Sequence, residues 1–210
     1  IIDTWGVVHD GDRVFESAVD CLKELKSRGK FILLMSNSEM VASEMAVELR
    51  RLGLPDGCYS EILTSGELLK QGIDKQQDGV FTGLGRACYV IGGERTQAFL
   101  KGVTTEIVDD ITRASFLLIS GWDPIKTDIA SYEDILREAV KRRLKILCVN
   151  PDGRAMQEIN YSTGPALIAK RVQELGGVVQ MIGKPYKPMF HHAIKILHQN
   201  GIYPGQTVMI

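Results

Sequence analysis

Phe31-Ile32-Leu33-Leu34-Met35-Ser36-Asn37-Ser38 decides the fold: five apolar side chains in a row run into three small polar ones. An apolar run that does not alternate is expected of a strand buried on both faces of a parallel sheet. On its N-terminal side Ala18, Val19, Leu22 and Leu25 recur at helical spacing, and Gly29 follows as a stop signal. On its C-terminal side Val41, Met45, Leu49 and Leu52 repeat that spacing and Gly53 closes it. Helix, strand, helix and then a short strand at Glu61-Ile62-Leu63 make the rhythm of a Rossmann-like, doubly wound α/β fold. Thr64-Ser65-Gly66-Glu67 then offers a capped helix start.

Further along, residues 71–86 are rich in Gly, Gln and Asp and read as a linker. Apolar strands are expected at Cys88 to Ile91, Phe116 to Ile119 and Ile146 to Val149, with helices near 95–101 and 132–143. This middle block reads as a smaller α/β unit inserted into the first. Gly164 to Leu175 reads as a helix, Val178 to Ile182 as a strand, and Pro188 to Gln199 as a helix with proline in its first turn. Thr207 to Ile210 begins another strand. The expected division is a core made of residues 1–66 and 154–210, sharing one sheet, with an inserted α/β unit at 67–153.

Composition narrows the function. The chain has 210 residues, 44% apolar and 24% charged, which suits one large domain or a core with an insertion. A formal net charge of −1 gives no electrostatic argument for nucleic acid or an anionic membrane as partner. No apolar stretch has membrane-spanning length, and the start lacks the features of a signal peptide. Cys21, Cys58, Cys88 and Cys148 form no CxxC pair and read as buried reduced thiols, which points to the reducing cytoplasm. Because the first residue is Ile1 and the last strand stops abruptly at Ile210, the chain reads as a fragment cut at both ends.

Three residues at expected strand ends carry the chemistry: Asp3 after Ile1-Ile2, Ser36 after the apolar run, and Lys184 after Val178 to Ile182. Ligand crevices of open α/β sheets lie beyond the carboxyl ends of the strands. A carboxylate there can attack phosphorus, a hydroxyl and backbone N–H groups can hold phosphoryl oxygens, and a lysine neutralises the accumulated charge. Taken singly, Asp3 is an ordinary turn residue, Ser36-Asn37-Ser38 a helix cap and Lys184 a surface charge. Their joint placement at three strand ends favours a site for phosphoryl transfer assisted by a divalent cation.

Asp3-Thr4-Trp5-Gly6-Val7-Val8-His9-Asp10-Gly11, Leu34-Met35-Ser36-Asn37-Ser38, Asn150-Pro151-Asp152 and Ile182-Gly183-Lys184-Pro185-Tyr186 together resemble the haloacid dehalogenase-like hydrolases, subclass IIA. The resemblance covers essentially the whole chain. It implies a Mg²⁺-dependent phosphatase for a small phosphorylated metabolite, with Asp3 as the nucleophile that becomes an aspartyl phosphate. Asp3 and the backbone carbonyl of Trp5 would bind Mg²⁺. Ser36, the backbone of Asn37, and Lys184 would hold the phosphoryl group, and the resemblance identifies the inserted α/β unit at 67–153 as a cap that selects substrate. The sequence departs from the family at Trp5, where the phosphatases carry a second aspartate as general acid and base. His9 or Asp10 are candidates to replace it, against a plain turn role for Asp10-Gly11. The acidic loop that completes the metal site would begin just after Ile210.

Rival readings are a protein that binds a phosphorylated ligand without turning it over, which Trp5 favours, and a purely structural or interaction role. Gly83-Leu84-Gly85 precedes its strand and lacks the third glycine of a dinucleotide fingerprint. His191, His192 and His198 do not make a zinc pattern. Trp122 is a candidate to line the substrate pocket, and Asp152 to border the cleft. A homo-oligomer is left open.

Overall fold

The computed structural model describes residues 1–77, 79–93, 96, 100, 102–120, 128–152 and 164–210. The expected helix near 95–101 lies largely outside these residues, and Trp122 lies wholly outside them.

The fold is mixed α/β, built on two parallel sheets. In the first, β1 (Ile2–Asp3), β2 (Leu33–Ser36) and β3 (Glu61–Thr64) lie in that order. Asp3 stands opposite Met35, and Ser36 opposite Thr64. Every residue of β2 is buried, as its unbroken apolar run requires of a central strand. The helices α1 (Glu16–Ser27) and α2 (Ala42–Leu52) flank it, α2 ending at Gly53 in the left-handed conformation. Their inward residues Leu22, Met45 and Leu49 pack with Ile2 and Leu34 into one apolar cluster. The end of the chain extends this sheet on its other side, since Ile1 and Asp3 exchange backbone hydrogen bonds with Val208 and Ile210.

The second sheet has the order β5-β4-β6-β7-β8, with β4 (Ala87–Ile91), β5 (Glu106–Val108), β6 (Phe116–Ile119), β7 (Lys145–Cys148) and β8 (Val179–Met181). Here the sequence reading needs a correction. The strand at Val178 to Ile182 does not continue the first sheet, because β8 pairs in parallel with β7 through Ile146–Val179 and Cys148–Met181. The helix before it, α5 (Pro165–Glu174), follows suit: Ile168, Ala169 and Val172 pack beneath the second sheet with Leu136 and Ala139 of α4 (Glu133–Lys141). Only the chain after β8 returns to the first unit, through α6 (Lys187–Gln199).

Two smaller differences have local causes. Residues 71–75 are helical rather than linker, being the last turn of α3 (Ser65–Lys75). Ile73 is fully buried there, and Gly72 is needed because a β-carbon would lie 2.5 Å from the Phe81 ring. Strand β5, at the sheet edge, was not expected from sequence. The two sheets share a core in which Leu33, Met35 and Leu63 meet Phe116, Leu118 and Leu147 through Leu68, Leu69 and Ile73 of α3. Cys58, Cys88 and Cys148 are buried free thiols, as expected, and burial pushes the Cys148 thiol up to about 12; Cys21 is instead exposed. Among the described residues no helix is long and apolar enough to cross a membrane.

Candidate active site

The parallel register of β1 and β2 places Asp3 and Ser36 at neighbouring carboxyl ends. Lys184 reaches them from the other sheet. Its ammonium lies 2.6 Å from Asp3 Oδ1 and donates to the backbone oxygen of Met35 at 3.0 Å. Asp3 Oδ1 also accepts from the backbone N–H of Thr4 at 2.7 Å. Asp3 Oδ2 has no hydrogen-bond donor among the described residues, and the Asp3 side chain is 39% exposed against 13% for Lys184. One oxygen is therefore fixed and charge-paired while the other stays open to a ligand. That is the arrangement a carboxylate nucleophile needs.

Asn37 holds the lysine segment in place. Its side-chain Oδ1 accepts from the Lys184 backbone N–H at 2.6 Å, and Nδ2 donates to the Lys184 carbonyl and to Asp152 Oδ1, both at 3.1 Å. The approach is close enough to demand glycine at 183: a β-carbon there would sit 2.7 Å from Asn37 Oδ1 and 2.9 Å from Ser65 Oγ. The Ser36 hydroxyl, nearly buried, accepts weakly from Ser38 N–H at 3.3 Å. Asp152 turns back on Asn150, whose Oδ1 accepts its backbone N–H. The four segments singled out in the sequence thus converge, and Asp152 borders the cleft through Asn37.

The flap after β1 shows what stands in place of the second aspartate. Trp5 is 55% exposed, its indole lying over Gly11 and edge-on to the His9 ring at 5.5 Å. His9 is buried, with Nδ1 accepting from Gly11 N–H and Nε2 without a partner among the described residues. Burial lowers its pKa, against the opposing influence of Asp10, Glu48 and Asp3. Asp10 accepts from the backbone N–H groups of Arg13 and Asp12 at 2.9 Å, which lowers its carboxyl pKa and fixes it as a turn residue. Among the described residues neither side chain hydrogen-bonds to Asp3.

For a divalent cation, the available donors are Asp3 Oδ2 and the carbonyl of Trp5, neither of which accepts a hydrogen bond from a described residue. Both are hard oxygen ligands of the kind Mg²⁺ takes, one or two per protein with water completing the shell. The residues fit such an ion. No cluster of three or more His, Cys, Asp or Glu side chains suited to a metal occurs among the described residues.

Sequence reasoning missed a second tie between the units. Glu39 Oε2 accepts from the hydroxyls of Thr96 at 2.8 Å and Ser120 at 3.0 Å, both fully buried. Its position directly after Ser36-Asn37-Ser38 was visible; its partners, far along the chain, were not.

The chain as a whole is similar to known proteins. The chain belongs to the haloacid dehalogenase-like hydrolase family, whose profile matches residues 1–106. It is 29% identical to mouse (Mus musculus) chronophin over the whole chain and 72% of that protein. Among solved structures, a haloacid dehalogenase-like hydrolase from Brucella suis 1330 superposes with a TM-score of 0.79 at 26% identity, covering 97% of this chain and 72% of that one. A p-nitrophenyl phosphatase from Archaeoglobus fulgidus superposes with a TM-score of 0.74 at 25% identity, covering 94% and 73%.

Proposed function

We propose that the chain hydrolyses small phosphate monoesters through an aspartyl phosphate on Asp3. The observation that carries this reading is the Lys184–Asp3 contact, which pairs one carboxylate oxygen and leaves the other without a hydrogen-bond donor among the described residues, on the strand next to the one that ends in Ser36. The name of the Archaeoglobus neighbour, a p-nitrophenyl phosphatase, points the same way.

In the first step Asp3 Oδ2 attacks phosphorus, the bond from phosphorus to the ester oxygen breaks, and the leaving alkoxide takes a proton from solvent water. Lys184 offsets the negative charge of the incoming dianion, and Ser36 Oγ with the Asn37 backbone N–H hold its non-bridging oxygens. In the second step water attacks the aspartyl phosphorus and gives up a proton to solvent, the bond from phosphorus to Asp3 Oδ2 breaks, and inorganic phosphate and the free carboxylate result. Mg²⁺ held by Asp3 and the Trp5 carbonyl would neutralise charge between the two anionic reactants. The expected cap at 67–153 would close over the site and select the phosphorylated metabolite.

Trp5 marks a weaker enzyme than the family norm. General acid and base catalysis contributes about 10² to 10⁴ in rate; the Asp10 carboxylate is bound into its own turn, and among the described residues His9 makes no hydrogen bond to Asp3. Leaving groups that need no protonation, such as p-nitrophenolate, should therefore be turned over far faster than alkyl phosphates. This same observation favours the second reading, a protein that binds a phosphorylated ligand without turnover. Phosphate release from p-nitrophenyl phosphate, with and without Mg²⁺, by wild type and Asp3→Asn separates the two. Metal-dependent release lost in the variant supports the enzyme; no release, with phosphate still bound, supports the binder.

A further inference from the structure

A cavity of about 820 Å³ opens between α3, β8 and α6, away from Asp3 and Ser36. Its floor is apolar, formed by Leu68, Val80, Phe81, Met181 and Pro188. Three lysines, Lys75, Lys187 and Lys195, line its rim with the imidazoles of His191 and His192, and no carboxylate does so among the described residues. Glu67 lines the adjoining space with Lys75, His192 and Lys195; it accepts from Ala42 N–H and from Gln71, and it is one carboxylate beside three lysines. The lysines act on a common space. Burial lowers the pKa of His192 first, and Lys195 and Lys75 lower it further, with Glu67 opposing.

We infer that this cavity is a binding site for an organic anion, a molecule with an apolar body and one acidic head. Its volume lies in the range of small-molecule pockets, about 300 to 1,000 Å³. The apolar floor gives the body a surface to bury, and among the described residues the three rim lysines outnumber the one neighbouring carboxylate, Glu67, leaving positive charge that an anionic head neutralises. Neutral apolar ligands would leave the lysines without a counter-charge, and a bare inorganic anion would leave the floor wet. The site does not depend on the phosphatase reading, since none of its lining residues belongs to the proposed catalytic set.

Two fluorescent probes with one body test it: 8-anilinonaphthalene-1-sulfonate carries the acidic head, and N-phenyl-1-naphthylamine lacks it. The sulfonate should bind saturably, shifting the His192 imidazole resonances with the same midpoint. Its affinity should fall about fivefold, from two exposed charge contacts, in K75Q/K195Q and recover in K75R/K195R. Neutral-probe binding should be weak and unchanged in both variants. Equal affinity of the two probes, or sulfonate binding indifferent to K75Q/K195Q, would overturn the assignment.

Discussion

Replacing Asn37 by alanine removes the group that holds the backbone of Lys184. The side chain makes three hydrogen bonds: one accepted from Lys184 N–H, one donated to the Lys184 carbonyl, and one donated to Asp152. The Asp152 bond is exposed and counts for little, whereas the two to Lys184 are partly buried and contribute about 1 kcal/mol each. The orphaned Lys184 N–H adds a desolvation cost of about 1 kcal/mol. The expected loss is therefore about 3 kcal/mol, a large share of a stability of roughly 5–15 kcal/mol. With a urea slope of about 2–3 kcal/mol/M, the unfolding midpoint should fall by about 1 M when followed by far-UV circular dichroism. Asp152→Ala is the internal comparison, because it removes only the exposed bond and should move the midpoint by less than about 0.2 M. Equal, small shifts for Asn37→Ala and Asp152→Ala would show that Asn37 does not hold the Lys184 segment.

Gly66→Ala places a β-carbon 1.9 Å from the backbone oxygen of Glu39, so main chain must move; the expected cost is about 3 kcal/mol, visible as a drop in melting temperature by calorimetry. Thr64→Ala deletes the hydroxyl that accepts from Glu67 N–H and donates to Met40 O; it should lose about 1–2 kcal/mol in urea titration, and Thr64→Ser should recover most of it. His9 has a lowered pKa in the folded chain, so below its ordinary value of about 6.5 the unfolded chain binds more protons and stability falls as pH falls. The wild-type urea midpoint should drop from pH 7 to pH 5 more steeply than that of His9→Phe; parallel slopes would refute the assignment.

Much of the site was readable because each segment carries its own local signal. The run from Phe31 to Met35 reads as a strand without knowledge of its neighbours, and the polar residues after it fall at the strand's end whatever the sheet order. The Thr64 cap has the same locality: its hydroxyl and Glu67 N–H are three residues apart, and the bond is present at 2.9 Å. What escaped was pairing. Nothing in Val179-Gln180-Met181 says whether it lies beside β1 or β7, because both partners offer the same backbone groups and the side chains are only half-buried. Strand β5 was missed because Glu106-Ile107-Val108 is short and exposes its first residue at the sheet edge. Glycine misled at 72, where a residue type that usually marks a loop makes room for a ring. For Asn37 the residue was visible and its work was not, since a side-chain bond to Lys184 spans 147 positions.

The placement of Lys184 makes the site behave as a two-key lock. Asp3 is carried by the first sheet, and Lys184 leaves the edge strand of the second, so their 2.6 Å contact exists only while both sheets are seated against each other. A parting of the units by a few ångströms would uncouple ammonium from carboxylate before either sheet lost a hydrogen bond of its own. Substitutions at the buried seam, such as Leu68 or Glu39, therefore reach the reaction centre without touching a reactant, and neither unit produced alone would contain a site to assay.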